Sequence, residues 1–338
     1  MRRFHRFPLT SLALLAALGT GGGLPAKEPP ITLGLPLDCE PGRTCEIIKY
    51  VDHDPGPGLR DYACGNRNGG ENGYGSTSFA IRDRKTMEAG VAVRAAAPGV
   101  VDKTRDEMAD TGVYGPETRE ELTQKGCGNA VVLRHDEGWR TVYCHLKRGS
   151  VRVAPGDRVT AGQDIGQVGM SGLSELPHLY FSVRRGDTVI DPFVGELRAE
   201  GCGIGERPLW AADVLAKLPY KPVLPRLSGF STDPPNVVEA RKGSYADAVF
   251  TQDTATLYFW VEIIGAKAGD VLRIRLTGPD GKALSNGSQR VERATAQSFI
   301  AGKADRPAAG WTPGSYEGVA AIEHNGQSFA TSARIDLR

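Results

Sequence analysis

The chain has 338 residues, with 41 lysines and arginines against 40 aspartates and glutamates, for a formal net charge of +1. A balance so close to neutral, without basic runs, argues against nucleic acid and against electrostatic adhesion to a membrane surface. The length leaves room for two domains of ordinary size, each with its own core.

The sequence opens with Met1-Arg-Arg-Phe-His-Arg6 and the apolar run Leu9–Leu18, followed by small residues at Ala17-Leu-Gly19 and Ala26. A basic head and a short apolar stretch predict a secretory signal over residues 1–26, removed from the mature protein. The run is short for a membrane span, and an uncleaved anchor is the alternative. No other apolar run approaches that length, so the mature chain is expected to be exported without a membrane span, to the periplasm or cell envelope.

Export gives meaning to the six cysteines, Cys39, Cys45, Cys64, Cys127, Cys144 and Cys202. An even number in an oxidising compartment, with neither zinc-ribbon spacing nor a Cys-x-x-Cys pair, predicts disulfides. Cys39 and Cys45 enclose a short Pro-Gly loop and form the expected local bridge. The other four leave three pairings open. Of these, Cys127 with Cys144 is disfavoured: in a hairpin turning at Glu137-Gly138, Cys144 lies opposite Ala130 and Cys127 lies too far along the strand.

Residues 27–63 are rich in proline and glycine and predict an extended lead-in laid over the following domain and stapled by disulfide. Within it Asp52-His53-Asp54 suggests a metal site, but neighbours in a strand or turn point in different directions, so the expectation is a solvated turn. From residue 64 to 200 the pattern is strands with short turns. Val91–Val101 gives a strand, a Pro-Gly turn and another strand. Lys103–Lys125 is a polar insertion with a helix-like piece at Glu117–Leu122, expected as a surface loop rather than a cleft wall. A hairpin follows at Ala130–His135 and Trp139–Leu146, then strands near Val151, Val159, Gln167 and His178.

In the last of these, His178 and Tyr180 share one face while Leu179 and Phe181 point to the other. Residues 201–225 read as a connector with a helix-compatible run at Ala211–Leu218. From 226 to 338, alternating segments at Val237–Ala240, Ala255–Ile264, Val271–Thr277, Ser298–Ala301, Ser315–His324 and Ser328–Leu337, separated by Gly and Pro turns, predict an immunoglobulin-like β-sandwich. Trp260 and Trp311 are expected in its core. The fold class is therefore mainly β, an antiparallel sheet domain followed by a sandwich.

Several motifs occur in a fixed order: Gly126-Cys-Gly-Asn129, Val131–His135, Tyr143-Cys-His-Leu146, Pro155-Gly-Asp-Arg-Val159, Ala161-Gly-Gln163, Gly169-Met-Ser-Gly172 and Pro177-His-Leu-Tyr-Phe181. Over about Cys64 to Phe193 they resemble the β-sheet core of the lysostaphin/LytM-type zinc peptidases. The resemblance implies a catalytic zinc held by the ends of a His-x-x-x-Asp strand and by the second His of His-x-His. It also implies two assisting histidines, which fall here on His145 and His178. The three ligand positions fall on Tyr74, Ser78 and Tyr180. A register slipped by two would put Ser76 and Ala80 at the first strand's positions, and neither binds zinc. Neutral hydroxyls are poor zinc donors beside imidazole, thiolate and carboxylate, so no cofactor is expected and zinc is expected to be absent.

The family acts on peptidoglycan cross-links, and members lacking the zinc ligands can regulate other wall hydrolases. The resemblance therefore implies a catalytically inactive, exported protein that binds peptidoglycan peptide or a cell-wall hydrolase through a groove lined by Tyr74, Ser78, His145, His178 and Tyr180. One alternative is an active peptidoglycan metalloendopeptidase with an atypical metal site, or a non-metal hydrolase in which Ser78, His145 and Asp83 or Glu175 make a serine-type arrangement. Another is a structural protein whose sandwich does the binding.

Overall fold

A computed structural model describes residue 1 and residues 30–67, 71–196 and 201–338. The expected signal lies outside these apart from its first residue. Among the described residues no helix is long and apolar enough to cross a membrane.

The first domain begins with β1 (Cys45–Lys49) and β2 (Thr77–Ile81), followed by the short helix α1 (Arg84–Ala89). Next come β3 (Ala92–Arg94), β4 (Gly99–Arg105), α2 (Arg119–Gln124), β5 (Asn129–Arg134) and β6 (Trp139–Leu146). It ends with β7 (Arg158–Val159), β8 (Asp164–Gln167), β9 (His178–Arg185), β10 (Thr188–Ile190) and α3 (Ala212–Leu215). The main sheet is antiparallel in the order β1-β2-β9-β6-β5-β4-β7, with β10 also paired to β9. Alternation explains its two faces. Leu179, Phe181 and Val183 of β9 enter the core beside Val131 and Leu133 of β5 and Tyr143 of β6, all essentially fully buried. Each such side chain stabilises the fold by about 1.5–3 kcal/mol. The opposite face carries polar groups.

Two features of the lead-in differ from expectation. Residues 45–49 form the sheet's edge strand against β2, and Leu33, Leu37 and Tyr50 are buried in the main core. The lead-in is thus part of the domain, because Ile47 and Tyr50 supply apolar surface that its Pro/Gly content obscures. Nor is Asp52-His53-Asp54 a solvated turn. The three residues are half-buried, His53 Nε2 lies 2.7 Å from Asp191 Oδ2, and the Asp52 carboxylate accepts from the amides of Asp54, Arg60 and Gly73.

The disulfides are Cys39–Cys45, Cys64–Cys202 and Cys127–Cys144. The last corrects the sequence expectation. Ala130 does face Cys144, but the pairing then skips to Asn129 with Leu146, leaving His145 as the extra residue of a β-bulge. Gly128 is left-handed (φ 62°), and the turn brings Cys127 back to a Cα separation of 4.9 Å from Cys144. Extrapolating a straight strand past the bulge caused the error.

The second domain comprises β11 (Leu224–Ser231), the helix α4 (Val237–Lys242), β12 (Thr256–Ile264), β13 (Val271–Thr277), β14 (Ala283–Arg290), β15 (Gln297–Asp305), β16 (Ser315–His324) and β17 (Gln327–Asp336). Sheets β11-β12-β15 and β14-β13-β16-β17 share one core that includes Phe259, Leu272, Tyr316 and Trp311, giving the antiparallel sandwich. Trp260 is buried as expected. Val237–Ala240, expected as a strand, is helical. Asn236 caps it by accepting from the Glu239 amide at 3.0 Å, basic residues occupy its last turn, and left-handed Gly243 ends it. These end signals outweigh the β preference of Val237-Val238. β14, polar along its length, and β11, which begins inside the expected connector, carried no clear alternating signal.

The domains meet over Ile48, Ala80, Leu176 and Leu224, and through a buried charge cluster. Glu262 of β12 is fully buried between Arg226 of β11 and Arg241 of α4. Arg226 Nη1 also donates to the carbonyls of Ile81 (3.2 Å) and Arg82 (2.9 Å) at the end of β2. Burial opposes ionisation of Glu262, but the two guanidiniums hold its carboxyl below the usual range.

Candidate functional site: a groove between sheet and sandwich

A cavity of about 680 Å³ lies over the polar face of the sheet, bounded on its far side by Arg241, Ile264, Ala296 and Gln297 of the second domain. Of the five groove residues expected from sequence, Tyr74, His145, His178 and Tyr180 line it, while Ser78 lies behind the lining with its Oγ 2.6 Å from Tyr74 Oη; of the two carboxylates considered beside them, Glu175 lines it and Asp83 does not. β9 contributes His178, Tyr180, Ser182 and Arg184, every second residue along one face. Ser182 and Arg184 were legible from the same alternation that identified His178 and Tyr180, and were missed. The insertion is also a wall rather than a loop apart: Val113 and Arg119 line the cavity, and the Val113 amide donates to the Ser174 carbonyl at 2.9 Å.

His145 reaches the groove through the bulge. Strict alternation would send it into the core, since Tyr143 faces inward, but its left-handed backbone (φ 64°) turns it out while Leu146 becomes buried. A left-handed non-glycine residue carries strain and persists only where surrounding contacts enforce it. Here the contacts are the Cys127–Cys144 bridge and the bond from the His145 amide to the Cys127 carbonyl at 2.8 Å.

Both histidines are oriented by main chain. His145 Nδ1 lies 2.7 Å from the Ser171 carbonyl, and His178 Nδ1 lies 2.9 Å from the Leu176 carbonyl. A carbonyl only accepts, so in each neutral ring Nδ1 carries the proton and Nε2 is left with its lone pair. Among the described residues neither Nε2 has a hydrogen-bond partner. The Ser171 carbonyl is available because left-handed Gly172 lies against Gly128; a Cβ on Gly172 would come within 2.6 Å of the Gly128 nitrogen. The two rings are 4.6 Å apart. Burial, reinforced by the Lys49 charge, pushes His145 down to about 4, and burial together with His145 holds His178 well below its ordinary value. Both are therefore neutral near pH 7.

The other half of the floor is made of hydroxyls. Ser78 stands opposite Tyr180 in the β2–β9 pairing. Ser78 Oγ lies 2.6 Å from Tyr74 Oη and 2.9 Å from Ser76 Oγ. The Tyr74 and Tyr180 rings meet edge to face at 5.5 Å, and Gly75 leaves room for the Tyr180 hydroxyl, which a Cβ there would approach to 3.3 Å. Burial raises both phenols, so they stay protonated. The lead-in fixes this corner: the Asp52 amide donates to the Tyr74 carbonyl at 2.8 Å, and Lys49 Nζ sits 4.9 Å from the centre of the Tyr74 ring.

A serine-type arrangement is not assembled. Ser78 is bonded to neighbouring hydroxyls rather than to His145, Asp83 caps α1 through the Thr86 amide, and Glu175 lies 3.8 Å from Arg241. Among the described residues no three His, Cys, Asp or Glu side chains converge on one point.

The profile of peptidase family M23 matches residues 85–192, a span that includes His145, His178 and Tyr180 and begins after Tyr74 and Ser78. The glycyl-glycine endopeptidase ALE-1 of Staphylococcus capitis is 47% identical over 60 residues, 18% of this chain and 16% of that protein. The murein hydrolase activator EnvC of Escherichia coli is 38% identical over 68 residues, 20% of this chain and 16% of that protein. The catalytic domain of lysostaphin from Staphylococcus simulans superimposes with a TM-score of 0.27 at 25% identity, over 42% of this chain and 84% of that domain. Matches to curated relatives thus span a small part of their lengths, 10% for the cell division protein DipM of Caulobacter vibrioides. The first domain of this chain, over residues 85–192, is a peptidase family M23 domain.

Proposed function

We propose that this M23 domain is catalytically inactive and serves as an exported, metal-free binding module of the cell envelope, taking a peptidoglycan peptide or a cell-wall hydrolase in its groove. The observation that carries this reading is the hydroxyl cluster. At the three positions where the resemblance puts zinc ligands stand Tyr74, Ser78 and Tyr180, two of them hydrogen-bonded to each other and the third packed on the first. Protonated phenols and an alcohol do not fit zinc, and two imidazoles alone fall short of the three protein donors of a catalytic site. Without a metal-polarised carbonyl and an activated water, neutral histidines supply little of the chemistry of peptide hydrolysis.

Relatives with matching segments carry both kinds of name, a glycyl-glycine endopeptidase and a murein hydrolase activator, so membership of the family is compatible with a binding role. The groove suits binding in other respects. It is preformed, walled by two domains, and holds unpartnered acceptor nitrogens on its floor. The test is muropeptide digestion and metal content measured on the same purified chain. The expected result is no cleavage, no effect of chelator and retention on isolated wall material. About one zinc per chain with chelator-sensitive cleavage would contradict the reading.

A further inference from the structure

We propose that the groove selects a short peptide bearing carboxylates, with Arg184 as the residue that reads the charge and Ser182 as a hydrogen-bonding contact on the floor. This rests on the reading of the groove as a binding site and adds the chemical class of its ligand.

The near-neutral chain conceals a charge segregation. The cavity is lined by five basic side chains, Lys49, Arg67, Arg119, Arg184 and Arg241, drawn from distant parts of the sequence, against two acidic ones. The acidic groups are already engaged: Glu71 lies 2.6 Å from Lys49, and Glu175 faces Arg241 at 3.8 Å. Behind the wall, Glu262 is shared by Arg226 and Arg241, and with Glu175 it balances both guanidiniums, so the unpaired charge of the lining does not come from this cluster. Among the described residues neither Arg119 nor Arg184 has an ionic partner. A concave site with low-dielectric walls focuses such a field and favours anions.

A second observation points to an occupant. Ser182 is 1% exposed, its Oγ has no hydrogen-bond partner among the described residues, and it lines the cavity between Tyr180 and Arg184 on β9. A buried hydroxyl left unpaired costs about 1–3 kcal/mol, which a ligand group placed over it relieves. The row therefore reads as lone pairs at His178, a hydroxyl at Ser182 and a guanidinium at Arg184. At the strand's repeat this spans about 20 Å, the reach of about six extended residues. An extended segment can donate its amide N–H groups at one end and place a carboxylate at the other. A cavity of about 680 Å³ is in the range of small-ligand sites, so of the two kinds of occupant it favours a short peptide segment over the surface of a folded partner.

The experiment is calorimetric titration of the full chain with two matched probes long enough to span the row, acetyl-Ala-Ala-Ala-Ala-Glu-Ala as the free acid and acetyl-Ala-Ala-Ala-Ala-Gln-Ala-amide. It is run at about 10 mM and about 1 M salt, where the screening length falls from about 30 Å to about 3 Å. The acid is expected to bind about tenfold or more tightly than the amide at low salt, with the ratio narrowing at high salt. Arg184→Gln should bring the ratio near one, while Ser182→Ala weakens both probes. Equal affinity for acid and amide in the unaltered chain overturns the charge selection and leaves the binding groove standing. An unchanged ratio in Arg184→Gln overturns the assignment to that residue. No binding of either probe at millimolar concentration overturns both the selection and the groove reading, and capture only of a folded protein overturns the ligand class.

Discussion

The two halves of the groove floor are held in different ways. On the β6–β9 side, His145 and His178 are held by main-chain carbonyls, so their orientation needs no ion, and their Nε2 atoms stay free. On the β2 side, Tyr74, Ser76 and Ser78 satisfy one another, and Tyr180 packs over them. One half retains unspent hydrogen-bonding capacity; the other has closed on itself. Groups oriented by the backbone need no ion to hold their position, whereas buried hydroxyls find their partners among themselves.

The strongest way to break this contrast is to convert the second half. Tyr74→His, Ser78→Asp and Tyr180→His together are expected to create zinc binding on the order of 10 kcal/mol, read by metal titration, because Ser78 already faces Tyr180 and contacts Tyr74. Failure of the triple variant to bind zinc would mean that the hydroxyl half has rearranged beyond substitution.

Next in size is the wall. Glu262→Ala leaves Arg226 and Arg241 buried without their counter-charge and is expected to cost about 3–5 kcal/mol in denaturant unfolding. Since Arg226 also binds the end of β2, peptide affinity should fall with stability. A loss below about 1 kcal/mol would show that the domains do not depend on this cluster.

The imidazole half is sharpened by its disulfide. Replacing Cys127 and Cys144 with serine opens a loop with a separation of 17 residues and should cost about 3 kcal/mol. It should also release the left-handed backbone of His145, seen as a shifted His145 ring resonance in NMR spectra. An unmoved ring would assign its position to the Cys127 carbonyl alone.

A similar or smaller effect is expected from pH. The folded His145 has its proton affinity pushed down to about 4 while an unfolded histidine titrates near 6.5, so between these values the unfolded chain binds more protons. Stability therefore rises with pH across this window; the full contribution is present above about 6.5 and is lost progressively toward 4, a span of about 3 kcal/mol. His145→Gln should flatten that part of the profile, and an identical slope in both proteins would place the protonation elsewhere.

Much of this was legible in sequence where a period or a turn residue carries the signal. The alternation of His178–Val183 put its two faces correctly, and β13 and β16 fell where their patterns ended. Three kinds of feature were not legible. A bulge breaks the period it sits in, which hid both the Cys127–Cys144 bridge and the exit of His145 into the groove. Helix end signals at Asn236 and Gly243 overrode the strand preference of two valines. The groove's far wall and its positive field are assembled from residues as distant as Lys49 and Arg241, and no local pattern records that they meet.

Anomalous scattering at the zinc absorption edge, from crystals of the unaltered protein grown with equimolar zinc, tests the central claim most directly. The expected map is featureless between Tyr74, Ser78 and Tyr180, with both histidine Nε2 atoms unmetallated. A full-occupancy peak coordinated there would contradict the account.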